Sequence, residues 1–158
     1  MPAITPMLWF NTQAEDAAKF YTSVFKNSKI RNVVRYGDAG PGPKGSVMVV
    51  DFELDGQRFT GLNGGPNFTF TEAVSFVIHC QTQDEVDDYW TKLTSGGGKE
   101  SQCGWLKDRF GLSWQVVPDP VIKMLSDPDP AKAKRVTEAV FKMKKIDIAT
   151  VQGAYAQK

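Results

Sequence analysis

The chain contains one histidine, His79, and two cysteines, Cys80 and Cys103. One histidine excludes any site that draws two imidazoles from a single chain. Two distant cysteines cannot build a disulfide framework or a zinc knuckle, and both fit the pattern of small buried hydrophobes. His79 reads first as a hydrogen-bonded histidine at a strand end, and second as a general base near neutral pH. Cys103 could offer a thiolate, but no histidine lies near it in sequence. Asp51 and Glu53 alternate along a strand-like run, so they could supply carboxylates to a weak metal or form a solvated sheet face. Arg58, Lys107 and Arg109 could hold an acidic ligand group or solvate turns. The glycine run Gly96-Gly97-Gly98 follows a helical segment, which makes it a helix terminus rather than a phosphate cradle. From these residues no tightly bound zinc, iron or manganese and no cofactor are expected.

The elements that must position these groups occur twice. Ile4-Thr5-Pro6-Met7-Leu8-Trp9-Phe10-Asn11 aligns with Val74-Ser75-Phe76-Val77-Ile78-His79-Cys80-Gln81, and Thr12-Gln13-Ala14-Glu15 aligns with Thr82-Gln83-Asp84-Glu85. Each copy begins as an apolar, β-branched strand and continues into Thr-x-x-Glu, the pattern of a capping box. A helix follows in each. Ala14, Ala17, Ala18, Tyr21, Val24 and Phe25 mark the first, and Val86, Tyr89, Trp90 and Leu93 the second. Three strands follow each helix. In the first copy they are Lys29–Tyr36, Val47–Leu54 and Arg58–Leu62, with Asp55-Gly56 as a hairpin turn. In the second they are a poorly defined strand near Lys99–Gln102, then Cys103–Leu106 and Leu112–Val117. Asp129-Pro130 then opens a helical tail marked by Val136, Val140, Met143 and Ile146.

Strand parity divides the candidate residues. Ile4, Pro6, Leu8 and Phe10 share one face, as do Val74, Phe76, Ile78 and Cys80, and both sets are expected under the helices. The opposite faces carry Thr5, Met7, Trp9 and Asn11, and Ser75, Val77, His79 and Gln81. A sheet face mixing hydrogen-bonding groups with bulky apolar ones suits a ligand cavity. The expected pocket is Met7, Trp9 and Asn63 from the first copy with Ser75, Val77, His79 and Gln115 from the second. Trp9 and Phe68-Thr69-Phe70 suit an aromatic or apolar ligand surface, or a core.

Of 158 residues, 41% are hydrophobic and 23% charged, the composition of a globular protein. Nineteen Lys+Arg against eighteen Asp+Glu leave a net charge of +1, so neither nucleic acid nor an anionic membrane is an expected partner. The start, Met1-Pro2-Ala3-Ile4, shows no basic stretch followed by an apolar one, and a cytoplasmic location is expected.

Two tandem βαβββ units resemble the vicinal-oxygen-chelate superfamily of glyoxalases, extradiol dioxygenases and antibiotic-resistance proteins. Thr5-Pro6-Met7-Leu8-Trp9-Phe10, Ala17-Ala18-Lys19-Phe20-Tyr21, Leu62-Asn63-Gly64-Gly65-Pro66 and Cys103-Gly104-Trp105-Leu106-Lys107-Asp108-Arg109-Phe110-Gly111 narrow the match. Together they resemble the PhnB-like family, whose members often carry the label 3-demethylubiquinone-9 3-methyltransferase domain. The resemblance implies an α+β fold in a single domain, 1–158, with module one at 1–66, module two at 72–119 and the helical tail at 120–158. It also places the superfamily's metal-ligand positions near Thr5, Gly61, Ser75 and Gln115, none of them His or carboxylate. A methyltransferase would need a Gly-rich strand-to-helix turn for its methyl donor, and none is visible. The expected function is small-molecule binding without a tight metal. A metal-dependent lyase, isomerase or oxygenase is the alternative, and a structural or partner-binding role the third reading. Superfamily habit and the apolar tail (Val136, Val140, Phe141, Met143, Ile146, Ile148) lead to an expected homodimer, in which modules could be exchanged between chains.

Overall fold

The computed structural model describes residues 3–157; Met1, Pro2 and Lys158, on which the expected leader-free start and the outer limits of the modules partly rest, lie outside the described residues. The chain divides into two compact units, Met1–Phe70 and Thr71–Lys158. The first holds β1 (Met7–Phe10), α1 (Ala14–Val24), β2 (Lys29–Arg35), β3 (Val47–Leu54) and β4 (Gln57–Asn63). The second repeats the series as β5 (Ser75–Cys80), α2 (Gln83–Thr94), β6 (Lys99–Glu100), β7 (Trp105–Lys107) and β8 (Ser113–Pro118), then adds α3 (Asp119–Leu125), α4 (Pro130–Phe141) and α5 (Ile148–Ala156). The sheets have matching orders, β1-β4-β3-β2 and β5-β8-β7-β6. In each, the first strand runs parallel to the fourth and the other pairs are antiparallel. This is the α+β arrangement of tandem βαβββ units with a helical tail.

Helix α1 buries Ala14, Ala17, Ala18, Tyr21 and Val24, the stripe its three- and four-residue spacing predicts. Three small residues let the helix lie close to β3 and β4, where Tyr21 meets Phe52 and Phe52 stacks on Phe59 at 5.5 Å between centroids. The capping expectation fails at this helix. Thr12 does not cap it, and the residue at the cap, Gln13, makes no side-chain bond to the first turn. Instead Asn63 Oδ1 accepts from Ala14 N–H at 2.8 Å, so the helix start is held by the end of β4. At α2 the expectation holds more closely. Thr82 Oγ1 accepts from Glu85 N–H at 3.2 Å, while Glu85 Oε2 accepts from Gln81 N–H at 3.1 Å, one residue ahead of the cap.

Both first strands are shorter than their apolar runs. Leu8, Phe10, Ile78 and Cys80 are buried under the helices, but Ile4 is 94% exposed and Val74 62% exposed, because both precede the first paired residue of their strands. Parity sorts side chains only where a sheet exists to carry them. The tail is three helices rather than one. Val121, Val136, Val140, Ile146 and Val151 form their own buried cluster, Met143 and Ile148 pack against it, and Phe141 is left 66% exposed. Cys103 and Gly104 tie this tail to the second sheet, donating their N–H groups to Met143 O and Lys144 O at 2.8 Å each. Among the described residues no helix is long and apolar enough to cross a membrane.

Candidate functional site

In the first unit, the sheet face turned away from α1 carries polar and charged side chains. Strand pairing sets Met7 beside Thr60 and Trp9 beside Leu62, with Asp51 opposite Thr60 and Glu53 opposite Arg58 on the next strand pair. Thr60 Oγ1 donates to Asp51 Oδ1 at 2.9 Å, and Arg31 Nη1 meets Glu53 Oε2 at 2.7 Å. Arg31 reaches this face at a bulge, where the register of β2 against β3 slips between Ile30 and Asn32. A cavity of about 330 Å³ opens here, lined by Thr5, Arg31, Asn32, Asp51, Arg58 and Thr60 with Phe52 and Phe59.

Gly61 does not belong to this face. A Cβ built on it would lie 3.3 Å from Ala14 Cβ and 3.6 Å from Phe10, on the α1 side, where an added methyl would press on the helix. The register corrects the assignment: Met7 pairs with Thr60 as Val77 pairs with Gln115, so Thr60 is the counterpart of Gln115.

The other first-unit candidates have structural partners. Trp9 Nε1 donates to Gly65 O at 2.9 Å, its ring meets Phe68 edge-on at 4.9 Å, and Gly64 lies against it so closely that a Cβ would be 2.4 Å from the ring. Asn63 bonds Ala14 N–H and donates to Val47 O at 3.0 Å, and Met7 is exposed. Asn63 also lines a larger cavity of about 550 Å³ that sequence reasoning missed. Tyr36, Ser46, Pro41 and Pro43 wall it, with Glu15 and Asp16 from the start of α1. Tyr36 is buried and donates to Asn63 O at 2.6 Å, and Gly42 packs so tightly on its ring that no side chain fits there. The Gly/Pro loop between β2 and β3 was the only signal.

In the second unit, Ser75 and Gln115 do come together: Gln115 Nε2 donates to Ser75 Oγ at 3.0 Å. Val77 and His79 follow on the same face, both exposed. His79 Nδ1 stands 2.8 Å from Asp119 Oδ1, and Gln81 Nε2 donates to Asp119 Oδ2 at 2.6 Å. These bonds, His79's first, hold the Asp119 carboxyl below the usual range. With Nδ1 donating to a carboxylate, a neutral His79 leaves Nε2 as acceptor. Cys80 is buried, and desolvation pushes its thiol up to about 12, which removes it as a nucleophile at neutral pH. Lys107 pairs with Glu72, and Arg109 donates to Ser95 Oγ at 2.9 Å.

The superfamily positions do not fit a transition metal. Thr5, Thr60, Ser75 and Gln115 are neutral side chains, Gln115 Nε2 donates to Ser75 Oγ, and Thr60 Oγ1 donates to Asp51. Among the described residues no three His, Cys, Asp or Glu side chains gather as a metal site requires.

Residues 2–117 match the sequence profile of the family described as 3-demethylubiquinone-9 3-methyltransferase. The chain belongs to that family. The solved structure of a PhnB protein from Bacillus cereus is 37% identical, with 74% of this chain and 99% of that one covered and a TM-score of 0.67. A Pseudomonas aeruginosa protein of 18% identity covers 75% of this chain and 98% of its own at a TM-score of 0.63. The fosfomycin resistance protein FosX from Listeria monocytogenes, solved with Mn(II) and sulfate, shares the fold at 13% identity and a TM-score of 0.52, over 74% of this chain and 89% of that one. No curated protein matches the chain. At these identities the Pseudomonas and Listeria structures show a shared fold.

Proposed function

We propose that this PhnB-like protein binds a small organic ligand on the first unit's sheet, on the face turned away from α1, without a tightly held metal. The observation that carries the reading is the cavity of about 330 Å³ bounded by Thr5, Asp51 and Thr60. Its volume is at the lower end for small-molecule sites, and its walls carry hydrogen-bonding and charged groups from Thr5, Arg31, Asn32, Asp51, Arg58 and Thr60. The donor set supports binding over metal chemistry. FosX is described with Mn(II), whereas the chain has neutral side chains at the carried-over positions. The methyl transfer in the family's description needs a donor site, yet the turns from β1 into α1 (Asn11-Thr12-Gln13) and from β5 into α2 (Gln81-Thr82) contain no glycine. The description therefore names the family, in our reading, and not a reaction of this chain.

Amide NMR shifts during titration with small aromatic compounds, alongside Zn(II) and Mn(II), test this. Shifts confined to Thr5, Asp51, Thr60 and their neighbours are expected for an organic compound, with no stoichiometric metal retained after desalting. Shifts confined to 36–47 and 63–65 would move the site to the larger cavity and overturn the assignment. A light-scattering mass from the same sample checks the homodimer that belongs to this proposal; a value near the 17.5 kDa of one chain is incompatible with it.

A further inference from the structure

The first unit's cavity holds two charged groups with capacity to spare that do not answer each other. Arg31 and Arg58 both stand near Glu53, and Arg31 takes it at 2.7 Å. Arg58, directly across the strand pair from Glu53, makes no ion pair among the described residues. Arg58 lines the cavity together with Thr5 and Asn32, and a guanidinium presents its donors in a planar fork. Asp51 has one oxygen bonded to Thr60 at 2.9 Å, and its other oxygen has no hydrogen-bond partner among the described residues. Arg58 and Asp51 line the same cavity without pairing.

Net charge alone does not select a ligand here. Arg31 is offset by Glu53, and Asp51 offsets Arg58 in sum. Placement does. A guanidinium fork donates best to a two-oxygen anion, and a carboxylate with a spare oxygen accepts from a donor. We infer that the cavity recognises a small carboxylate or phosphate ester carrying a hydroxyl or amino group, its oxyanion on Arg58 and its donor on Asp51. This rests on the ligand-binding reading above and adds the chemical class.

The test titrates the intact protein with 4-hydroxybenzoate, 4-hydroxybenzamide, benzoate and inorganic phosphate, followed by amide NMR. The carboxylate is expected to bind about tenfold more tightly than its neutral amide, as a charge-assisted contact would give. Arg58→Gln should erase that preference while leaving amide binding unchanged, and Arg58→Lys should keep part of it. Lys92→Gln, which removes a positive charge from the second unit, should change nothing. Phosphate shifts confined to Thr5, Asn32 and Arg58 would give the phosphate ester as the source; benzoate shifts without them would give the carboxylate. Equal affinity for acid and amide, or a preference that survives Arg58→Gln in a protein whose other amide shifts are unchanged, overturns the inference but leaves ligand binding standing. Failure of all four probes to shift this face overturns both.

Discussion

The two units share a topology and solve its weakest point differently. Between β3 and β4 the chain turns in two residues, Asp55 at φ 46° and Gly56 at φ 82°, the positive pair a type I′ hairpin requires. Between β7 and β8 the same turn is longer and is built around Asp108, only 3% exposed. Asp108 Oδ1 accepts from Phe110 N–H at 2.8 Å and Leu112 N–H at 3.1 Å, and Oδ2 accepts from Trp114 Nε1 at 2.9 Å. The first sheet has long strands, eight residues in β3, and a stacked aromatic core. The second has strands of two and three residues at β6 and β7, too few ladder bonds to fix the hairpin by themselves. A buried carboxylate and the tail cluster supply what strand length supplies in the first unit.

The sharpest way to break this comparison is at the turns. Asp108→Ala leaves three donors unsatisfied in a buried turn and should cost about 3–5 kcal/mol. Asp55→Gly keeps a residue that accepts positive φ and should change stability by less than about 0.5 kcal/mol. Urea denaturation of both variants checks the contrast. Similar losses would mean that the two turns do the same job.

Helix starts give a smaller and more discriminating contrast. Thr12 and Thr82 occupy equivalent places in the repeat, but only Thr82 caps its helix. Thr82→Ala should cost about 1 kcal/mol, and Thr12→Ala less than about 0.5 kcal/mol. Asn63→Ala removes the bond that replaces the missing cap, together with the tie to Val47, and should cost about 1–2 kcal/mol. Thermal unfolding ranks the three; a Thr12 loss equal to that of Thr82 would place a cap where none is described.

The same pair of helices shows what was legible in the sequence. Periodicity located both helices and their buried stripes, because a core-facing stripe is a local property of spacing. Val47–Leu54 and the Asp55-Gly56 turn were readable for the same reason. Asn63 capping α1 was not, since the two groups meet only after β4 pairs with β1. Nor was the parity of Gly61: a family position transferred one residue out of register flips to the other face of the sheet, and only the pairing of Met7 with Thr60 reveals it. Arg58 was recognisable as a candidate anion contact, but its competition with Arg31 for Glu53 depends on a bulge with no sequence mark. The helical tail was visible as apolar spacing, while its division into three helices packed on one another follows from tertiary contacts.

The smallest expected effect lies in the ionisation of two surface carboxylates, one in each unit. Glu15 is held below its usual range chiefly by the Lys19 side chain, 2.9 Å away on α1. Asp119 is held low chiefly by His79, with Gln81 second. Both folded-state values are depressed, so each interaction contributes above the unfolded carboxylate range and is lost as pH falls through the folded value. Both groups are partly exposed, so solvent and salt screen each contribution. Carboxyl-carbon NMR titration separates the two cases. Lys19→Gln should return Glu15 toward its ordinary value and leave Asp119 unmoved, and His79→Ala should do the reverse. Adding salt should erode the Glu15 depression first, because a lysine ammonium acts there as a point charge. The Asp119 depression should persist, because two directed hydrogen bonds, one from a neutral amide, maintain it. Equal salt sensitivity at the two sites would show that Asp119 is held by charge alone, and that His79 is not fixed by the carboxylate in the orientation that leaves Nε2 free.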